Sequence, residues 1–365
     1  MTIHPALAHY YRRFYTGINY RLRGAAGGRL ASFCRPCSIG LLLTERCNAK
    51  CVHCDIWKNR GQEASPTPEQ WQALLLDFSR WLGPVHVVLS GGEALLRPWT
   101  PQLVAYGSSL GLFMEVLTHG YWLEQSRIEQ MALAKPSRVT VSVDGIGETH
   151  SVVRGREKFW DYTHNTLNNL NRLRREHGLG YGIRLKTVIM DQNLHDVANV
   201  ARFAAENGMD VFYQPIEQNY NTAEDPEWFT HSPTWPRDKD AALRAVEELI
   251  GMKNAGFPIA NSLAQLQAMI PYFRDPDAMR VSVQGHAGHE PRPFCGALTT
   301  IQVQSNGDVT TCCSSPTVGN IKEAGIRSIW ENRPRWWEQG CCMEKRFSSA
   351  EKERAERSGL VTLGR

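Results

Sequence analysis

Three cysteines, Cys47, Cys51 and Cys54, fall within eight residues as a C-x3-C-x2-C run. They follow the apolar segment Ile39-Gly40-Leu41-Leu42-Leu43-Thr44, which reads as a buried strand. Soft thiolates select iron–sulfur or zinc centres. Three sulfurs can hold three irons of a 4Fe–4S cube and leave the fourth without a protein ligand, a vacancy that is useful only if something else binds there. The competing reading is a structural zinc site of the Cys3His type, completed by His53 or by a distant residue. The C-x3-C spacing departs from the C-x2-C zinc knuckle, but spacing alone leaves both open.

A second strand, Val85 to Ser90, runs directly into Gly91-Gly92-Glu93. A fourth ends at Ser142-Val143-Asp144-Gly145, and Val153-Arg154-Gly155 follows shortly after. Glycines at 91 and 92 let the backbone approach a ligand where a Cβ would clash. With the cysteine run, these motifs resemble the radical S-adenosylmethionine (radical SAM) superfamily, closely over residues 39–217 and less tightly over 291–343. The resemblance implies that the vacant iron is chelated by the amino and carboxylate groups of S-adenosylmethionine. It further implies that Gly91, Gly92 and Glu93 contact the amino group. Ser142 and Arg154 hold the carboxylate, whose shape a guanidinium fork matches. His53 borders the adenine, and Thr118 and Asp144 complete the cofactor set. Asp144 reads equally as a turn or capping residue in Asp-Gly. Thr118-His119-Gly120 stands where relatives carry Thr-Asn-Gly, so the histidine is a departure.

The implied activity is reductive cleavage of S-adenosylmethionine to a 5′-deoxyadenosyl radical that abstracts hydrogen from an unactivated C–H bond. The electron would come from a flavodoxin- or ferredoxin-type donor. No residue identifies itself as the group that quenches the substrate radical.

Near the C-terminus, Cys295, Gly307 and Cys312 follow the pattern C-x11-G-x4-C around the turn Ser305-Asn306-Gly307-Asp308. Asn-Gly between alternating apolar residues (Ile301, Val303, Val309) is a hairpin signal. With Cys313, Cys341 and Cys342 this resembles the SPASM auxiliary-cluster module or its shortened Twitch form. Five cysteines rather than the seven of a full module imply one auxiliary 4Fe–4S cluster. A zinc ribbon, or a hairpin with spare thiols, is the alternative. Cys34 and Cys37 form an isolated C-x2-C, and His286 and His289 stand in a Gly-rich stretch where exposure to solvent is the plainer reading.

These motifs need a scaffold that brings strand ends together. Apolar runs at 39–44, 85–90, 113–117, 138–143, 182–189 and 210–216 alternate with helical patterns at 67–82, 100–110, 124–134, 159–177 and 194–207. Such alternation means βαβ units and a parallel sheet, buried on both faces. Six units are too few for a closed eight-stranded barrel. The expected fold class is α/β, and the resemblance implies a partial (β/α)6 barrel, which fits this count, with a small C-terminal Cys-rich module containing a hairpin. Each motif ends a strand, at the mouth where barrel chemistry is assembled. Lys186-Thr187 and Tyr213-Gln214 should face the interior or mouth, for packing or for substrate. The expected divisions are an extension at 1–38, the barrel at 39–217, a linker or lid with helices at 218–290, the auxiliary module at 291–345 and a charged tail at 346–365.

Net charge is only +4, which gives no reason to expect nucleic acid. Ten cysteines without a secretory signal argue for metal ligation in a reducing cytoplasm. Residues 1–46 hold seven arginines against Glu45 alone, interleaved with Tyr10, Tyr11, Phe14, Tyr15 and Tyr20. A basic aromatic helix suits peripheral membrane contact or an anionic partner, and equally suits packing on the barrel with its arginines in water. The expected substrate is a small-molecule, cofactor or lipid-linked compound. A ribosomal peptide is the alternative, weakened because 38 residues are too few for a peptide-recognition domain. A non-catalytic iron–sulfur or zinc protein is the third reading, and Glu93, Ser142 and Arg154 argue against it.

Overall fold

The computed structural model describes residues 10–11, 14–15, 17–19, 21–22, 33–59, 64–219, 222, 225, 227–276, 299–311 and 316–333. Six parallel strands form its centre: β1 (Ser38–Leu42), β2 (His86–Ser90), β3 (Phe113–Thr118), β4 (Arg138–Ser142), β5 (Gly182–Ile189) and β6 (Asp210–Pro215). They are joined by α1 (Pro68–Leu82), α2 (Thr100–Ser109), α3 (Ser126–Leu133), α4 (Glu148–Arg154), α5 (Phe159–Glu176) and α6 (Val197–Glu206). The strand order is 6-5-4-3-2-1, each strand paired with its neighbour in sequence, so the expected partial barrel is present.

Local signals account for the elements. In α1, Thr67 and Gln70 close a capping box and a proline opens the first turn. Trp71, Leu74, Leu75, Phe78 and Leu82 recur at helical spacing and are buried against the sheet. On the strands, Ile39, Leu41, Val87, Leu89, Met114, Val116, Val139, Val141, Ile183 and Leu185 form the matching outer face in one continuous core.

The inner face differs from the expectation of strands apolar on both sides. Successive side chains alternate, and those turned from the helices are largely polar. Glu115 accepts from Thr140 Oγ1 (2.5 Å) and lies 2.7 Å from His86 Nε2 and 3.3 Å from Arg138 Nη1. Arg184 grips Asp210 with both nitrogens, at 2.5 and 2.9 Å. These inner-face polar groups are satisfied by one another, which is why they can stand where apolar packing was expected.

Burial works against ionisation of Glu115, but His86, Thr140 and Arg138 outweigh it and hold the carboxyl at about 2. Its folded pKa lies below the ordinary value near 4.3. The resulting stabilisation is therefore complete above about pH 4.3 and lost as pH falls toward 2. Glu115→Ala is expected to destabilise the protein by about 2–3 kcal/mol at pH 7, less than a fully buried pair because Arg138 is partly exposed. Urea unfolding should show that difference shrinking below pH 4; a constant difference would contradict it.

After β6 the chain forms a short helical turn (Trp228–His231), then α7 (Lys239–Asn254), α8 (Leu263–Gln267) and α9 (Met269–Arg274). β7 (Thr300–Val303) pairs in parallel with β1, and β8 (Asp308–Thr310) returns antiparallel through the Asn306-Gly307 turn, as expected. The hairpin is not set apart: it continues the barrel sheet, which ends in β9 (Gly319–Asn320). Helix α10 (Ile326–Asn332) packs on α1, where the Trp81 and Trp330 rings lie 6.4 Å apart, and Trp330 Nε1 donates to the Cys34 carbonyl.

In the N-terminal segment, Tyr11 donates to the Leu82 carbonyl and Tyr15 accepts from Arg35, while Tyr10 and Phe14 are exposed. Part of its aromatic content thus packs on the barrel. The Cys34 thiol is buried and donates to the Asn19 carbonyl rather than facing Cys37. No helix among the described residues is long and apolar enough to cross a membrane. Cys295, Cys312, Cys313, Cys341 and Cys342, with His286 and His289, lie outside the described residues.

Candidate active site

The three motif loops meet at the C-terminal end of the strands, and backbone hydrogen bonds join them. Gly92 N–H donates to Thr44 O (2.7 Å) and Glu93 N–H to Arg46 O (2.9 Å), which binds the loop after β2 to the cysteine loop. On the other side, Lys50 N–H donates to Arg154 O and Val52 N–H to Val153 O, binding that loop to α4. The cysteine loop is clamped between the two.

This corrects one sequence expectation. A Cβ on Gly91 would stand 2.3 Å from Thr44 O, and one on Gly92 2.3 Å from Arg46 O. What these glycines approach is the backbone of the cysteine loop. Gly155 does the same from the far side, with φ +69° and a Cβ position 2.0 Å from Lys50 O.

Glu93 is buried and every oxygen is engaged. Oε1 accepts from Leu95 N–H; Oε2 accepts from Thr118 Oγ1 (3.0 Å) and His119 N–H (2.9 Å). Burial pushes its carboxyl up to about 7, despite those donors. Thr118 also accepts from Gly120 N–H and Trp122 Nε1, so its hydroxyl serves the site through Glu93. Because the folded pKa lies above the ordinary value, ionisation destabilises the protein as pH rises through 7. Glu93→Gln is therefore expected to be more stable than wild type at pH 8.5, with the advantage vanishing near pH 3.5, below the ordinary value of about 4.3. Thermal unfolding of cluster-free protein at the two pH values checks this; an equal shift at both would sink it.

His119, the departure from Thr-Asn-Gly, has a defined place. Its Nδ1 accepts from Tyr121 N–H (2.9 Å), which leaves the proton on Nε2. Nε2 then faces Asn48 Oδ1 at 2.7 Å and Glu93 Oε2 at 3.2 Å. Burial lowers its pKa to about 3, so the ring is neutral. His119 therefore ties Glu93 to Asn48, a member of the cysteine loop. His150 acts similarly: Nδ1 accepts from Asp144 N–H, Nε2 faces Thr163 Oγ1, and Thr163 donates to the His119 carbonyl. Sequence reasoning missed Asn48, His119, His150 and Thr163. Only the departure at position 119 pointed to any of them.

Asp144 and Arg154 form a buried ion pair, Oδ2 to Nη2 at 2.6 Å. Asp144 Oδ1 accepts from Val188 N–H, and Arg154 Nη1 reaches Cys51 Sγ at 3.5 Å. Burial opposes both charges, but each partner outweighs it, lowering the Asp144 pKa and raising that of Arg154. Asp144 is thus more than a turn residue: it sets the guanidinium against the cysteine loop. Arg154 Nε is buried with no hydrogen-bond partner among the described residues, and the same holds for His53 Nδ1. Ser142 ends β4 on the inner face.

Burial raises the thiol pKa of Cys47 to about 12 and raises those of Cys51 and Cys54. Thiols held protonated by desolvation become thiolates when a bound cation takes the charge. Ala49, Cys51 and Phe159 form the apolar wall behind them, with Tyr121 packed against it. Among the described residues, no three His, Cys, Asp or Glu side chains converge as a single metal ion requires. The orphaned Arg154 Nε–H, the inward Ser142 and the desolvated thiols fit the iron–sulfur cluster and S-adenosylmethionine together.

Thr187 and Tyr213 face away from the lumen and bond the Val143 and Val197 carbonyls. Lys186 and Gln214 are the inward members of those two pairs.

Comparison with known proteins agrees with this geometry. The model of the radical SAM superfamily matches residues 41–204, and that of the SPASM iron–sulfur cluster-binding domain matches 295–354. The AdoMet-dependent heme synthase of Methanosarcina barkeri is 27% identical over 81% of this chain and 82% of its own length. The PqqA peptide cyclase of Xanthomonas campestris is 23% identical over 81% and 74%. Among solved structures, Streptococcus suis SuiB bound to S-adenosylmethionine superposes with a TM-score of 0.61 at 16% identity, over 85% of this chain and 71% of that one, a likeness of fold.

Proposed function

Because the chain is a radical SAM enzyme with a C-terminal SPASM module, we propose that it abstracts hydrogen from a small carboxylate-bearing molecule of the cofactor type. The observation that carries the chemistry is the clamping of the cysteine loop between Glu93 and Arg154. When bound, the cluster and S-adenosylmethionine supply a one-electron cleavage that yields a hydrogen-abstracting 5′-deoxyadenosyl radical.

The rest belongs to the chain. Cys47, Cys51 and Cys54 would hold the cluster. Glu93, oriented by Thr118 and His119, would accept from the methionine ammonium. Arg154, through the donor not turned to Asp144, and Ser142 would hold the carboxylate. His53 would border the adenine. Phe159 and Tyr121 keep water from the thiols. One auxiliary cluster, drawn from Cys295, Cys312, Cys313, Cys341 and Cys342, would take up or bind what the substrate releases.

Support for a cofactor-type substrate comes from the similarity to a heme synthase over 81% of this chain and 82% of that one. The similarity to a peptide cyclase favours a ribosomal peptide as the second reading. An external flavodoxin- or ferredoxin-type protein would deliver the electron in the reducing cytoplasm. The exposed Tyr10, Phe14 and Phe33 support peripheral contact with a membrane if the substrate is lipid-linked. The test is anaerobic incubation of reconstituted protein with dithionite and S-adenosylmethionine. Formation of 5′-deoxyadenosine, enhanced by a tetracarboxylate porphyrin, is expected. Enhancement by peptides alone would transfer the proposal to the second reading, and no product at all would overturn both.

A further inference from the structure

Charges in the barrel are matched almost throughout. Arg138 and His86 face Glu115, Arg184 faces Asp210, and Arg154 faces Asp144. Among the described residues, Lys186 is an exception. It leaves β5 on the same face as Arg184, two residues nearer the mouth, and the register sets it between Ser142 of β4 and Phe212 of β6. It is partly buried, and among the described residues its ammonium makes no hydrogen bond or ion pair. Glu217, just beyond β6, is the carboxylate that acts on it most strongly through space, yet no ion pair joins them. Burial lowers the Lys186 pKa, whereas Glu217 is exposed and open to water. Desolvating an ammonium without a partner is costly. A protein sustains that at a site where a ligand completes the pair.

We infer that Lys186 anchors a carboxylate of the substrate. The inference rests on the function proposed above and adds the group by which the substrate is held. Lys186 pairs in register with Ser142, the serine assigned to the cofactor, so an acid anchored there lies next to the cofactor site. An ammonium also suits a substrate that must shift as it reacts, since its three donors act as a point charge without the fixed fork of arginine.

The test uses full-length, cluster-reconstituted protein as wild type, Lys186→Gln and Lys186→Arg, with iron content matched to exclude misfolding. The probes are a tetracarboxylate porphyrin, its tetramethyl ester, a glutamate-containing pentapeptide and its glutamine counterpart. Binding is read by tryptophan quenching for the porphyrins and by calorimetry for the peptides. Wild type should bind one of the acids at least tenfold more tightly than its neutral counterpart. Lys186→Gln should abolish that discrimination, and Lys186→Arg should largely restore it. The acid preferred identifies the source, porphyrin or peptide. Discrimination unchanged in Lys186→Gln would overturn the inference, as would failure of wild type to bind either acid. Competition between the acid and S-adenosylmethionine would place Lys186 in the cofactor site and also overturn it. Formation of 5′-deoxyadenosine by wild type is scored separately, so failure of the enzymatic reading is told apart from failure of the anchor.

Discussion

Replacing Asp144 with alanine should destabilise the protein by about 3–5 kcal/mol and nearly abolish 5′-deoxyadenosine formation. The substitution leaves the Arg154 guanidinium buried and unpaired, and breaking a buried pair on one side costs that much. It also removes the acceptor of Val188 N–H, a backbone donor at the end of β5. The loss of activity has its own cause. Arg154 is aimed at Cys51 by the 2.6 Å contact to Asp144, and without it the guanidinium is free to turn toward the mouth and its water. Asp144→Asn keeps the shape and the Val188 contact but not the charge, and should fall between the two. Urea unfolding of the cluster-free variants, with product assay of the reconstituted ones, gives both readings. An alanine variant within 0.5 kcal/mol of wild type would show that the pair is not the keystone described here.

Gly92→Ala should lower the rate of S-adenosylmethionine cleavage by about a hundredfold, the scale of an ångström-sized misplacement in a site. Its Cβ would stand 2.3 Å from Arg46 O, 2.6 Å from Arg46 C and 2.7 Å from Glu45 O. All three are backbone atoms that cannot swing aside, so the two loops must part. Parting them breaks Glu93 N–H to Arg46 O and draws the Glu93 carboxyl from Thr118 and His119. A rise in KM for S-adenosylmethionine should accompany the loss. Gly180→Ala, where an added Cβ meets nothing within 4 Å, is the control and should be nearly silent. If Gly92→Ala retained wild-type kinetics, the glycine would serve only the turn.

The six strands and the helices between them were legible because apolar periodicity is a local property. The capping box at Thr67 and the Asn306-Gly307 turn are written in adjacent residues. The lumen was misjudged for a reason also visible in the chain. His86, Glu115, Arg138 and Lys186 alternate with aliphatic residues, but whether the second face meets packing or solvent depends on how far the sheet closes. The continuation of the barrel sheet by β7 was likewise hidden, since parallel pairing of Ser38 with Thr300 joins residues far apart in sequence.

The chemistry was legible in the sequence through resemblance: three cysteines at one strand end, glycines and a glutamate at the next, a serine and an arginine two strands later together match the radical SAM pattern. Soft sulfur by itself left zinc and an iron–sulfur cluster both open. Tertiary structure decided what each residue does for the others. Gly91 and Gly92 serve the cysteine loop, Thr118 serves Glu93, Asp144 serves Arg154, and His119 joins Glu93 to Asn48. It also left Lys186 facing inward with no ion pair among the described residues. Contacts of that kind follow from the meeting of strand ends in space, and no spacing along the chain encodes how a buried charge finds, or lacks, its partner.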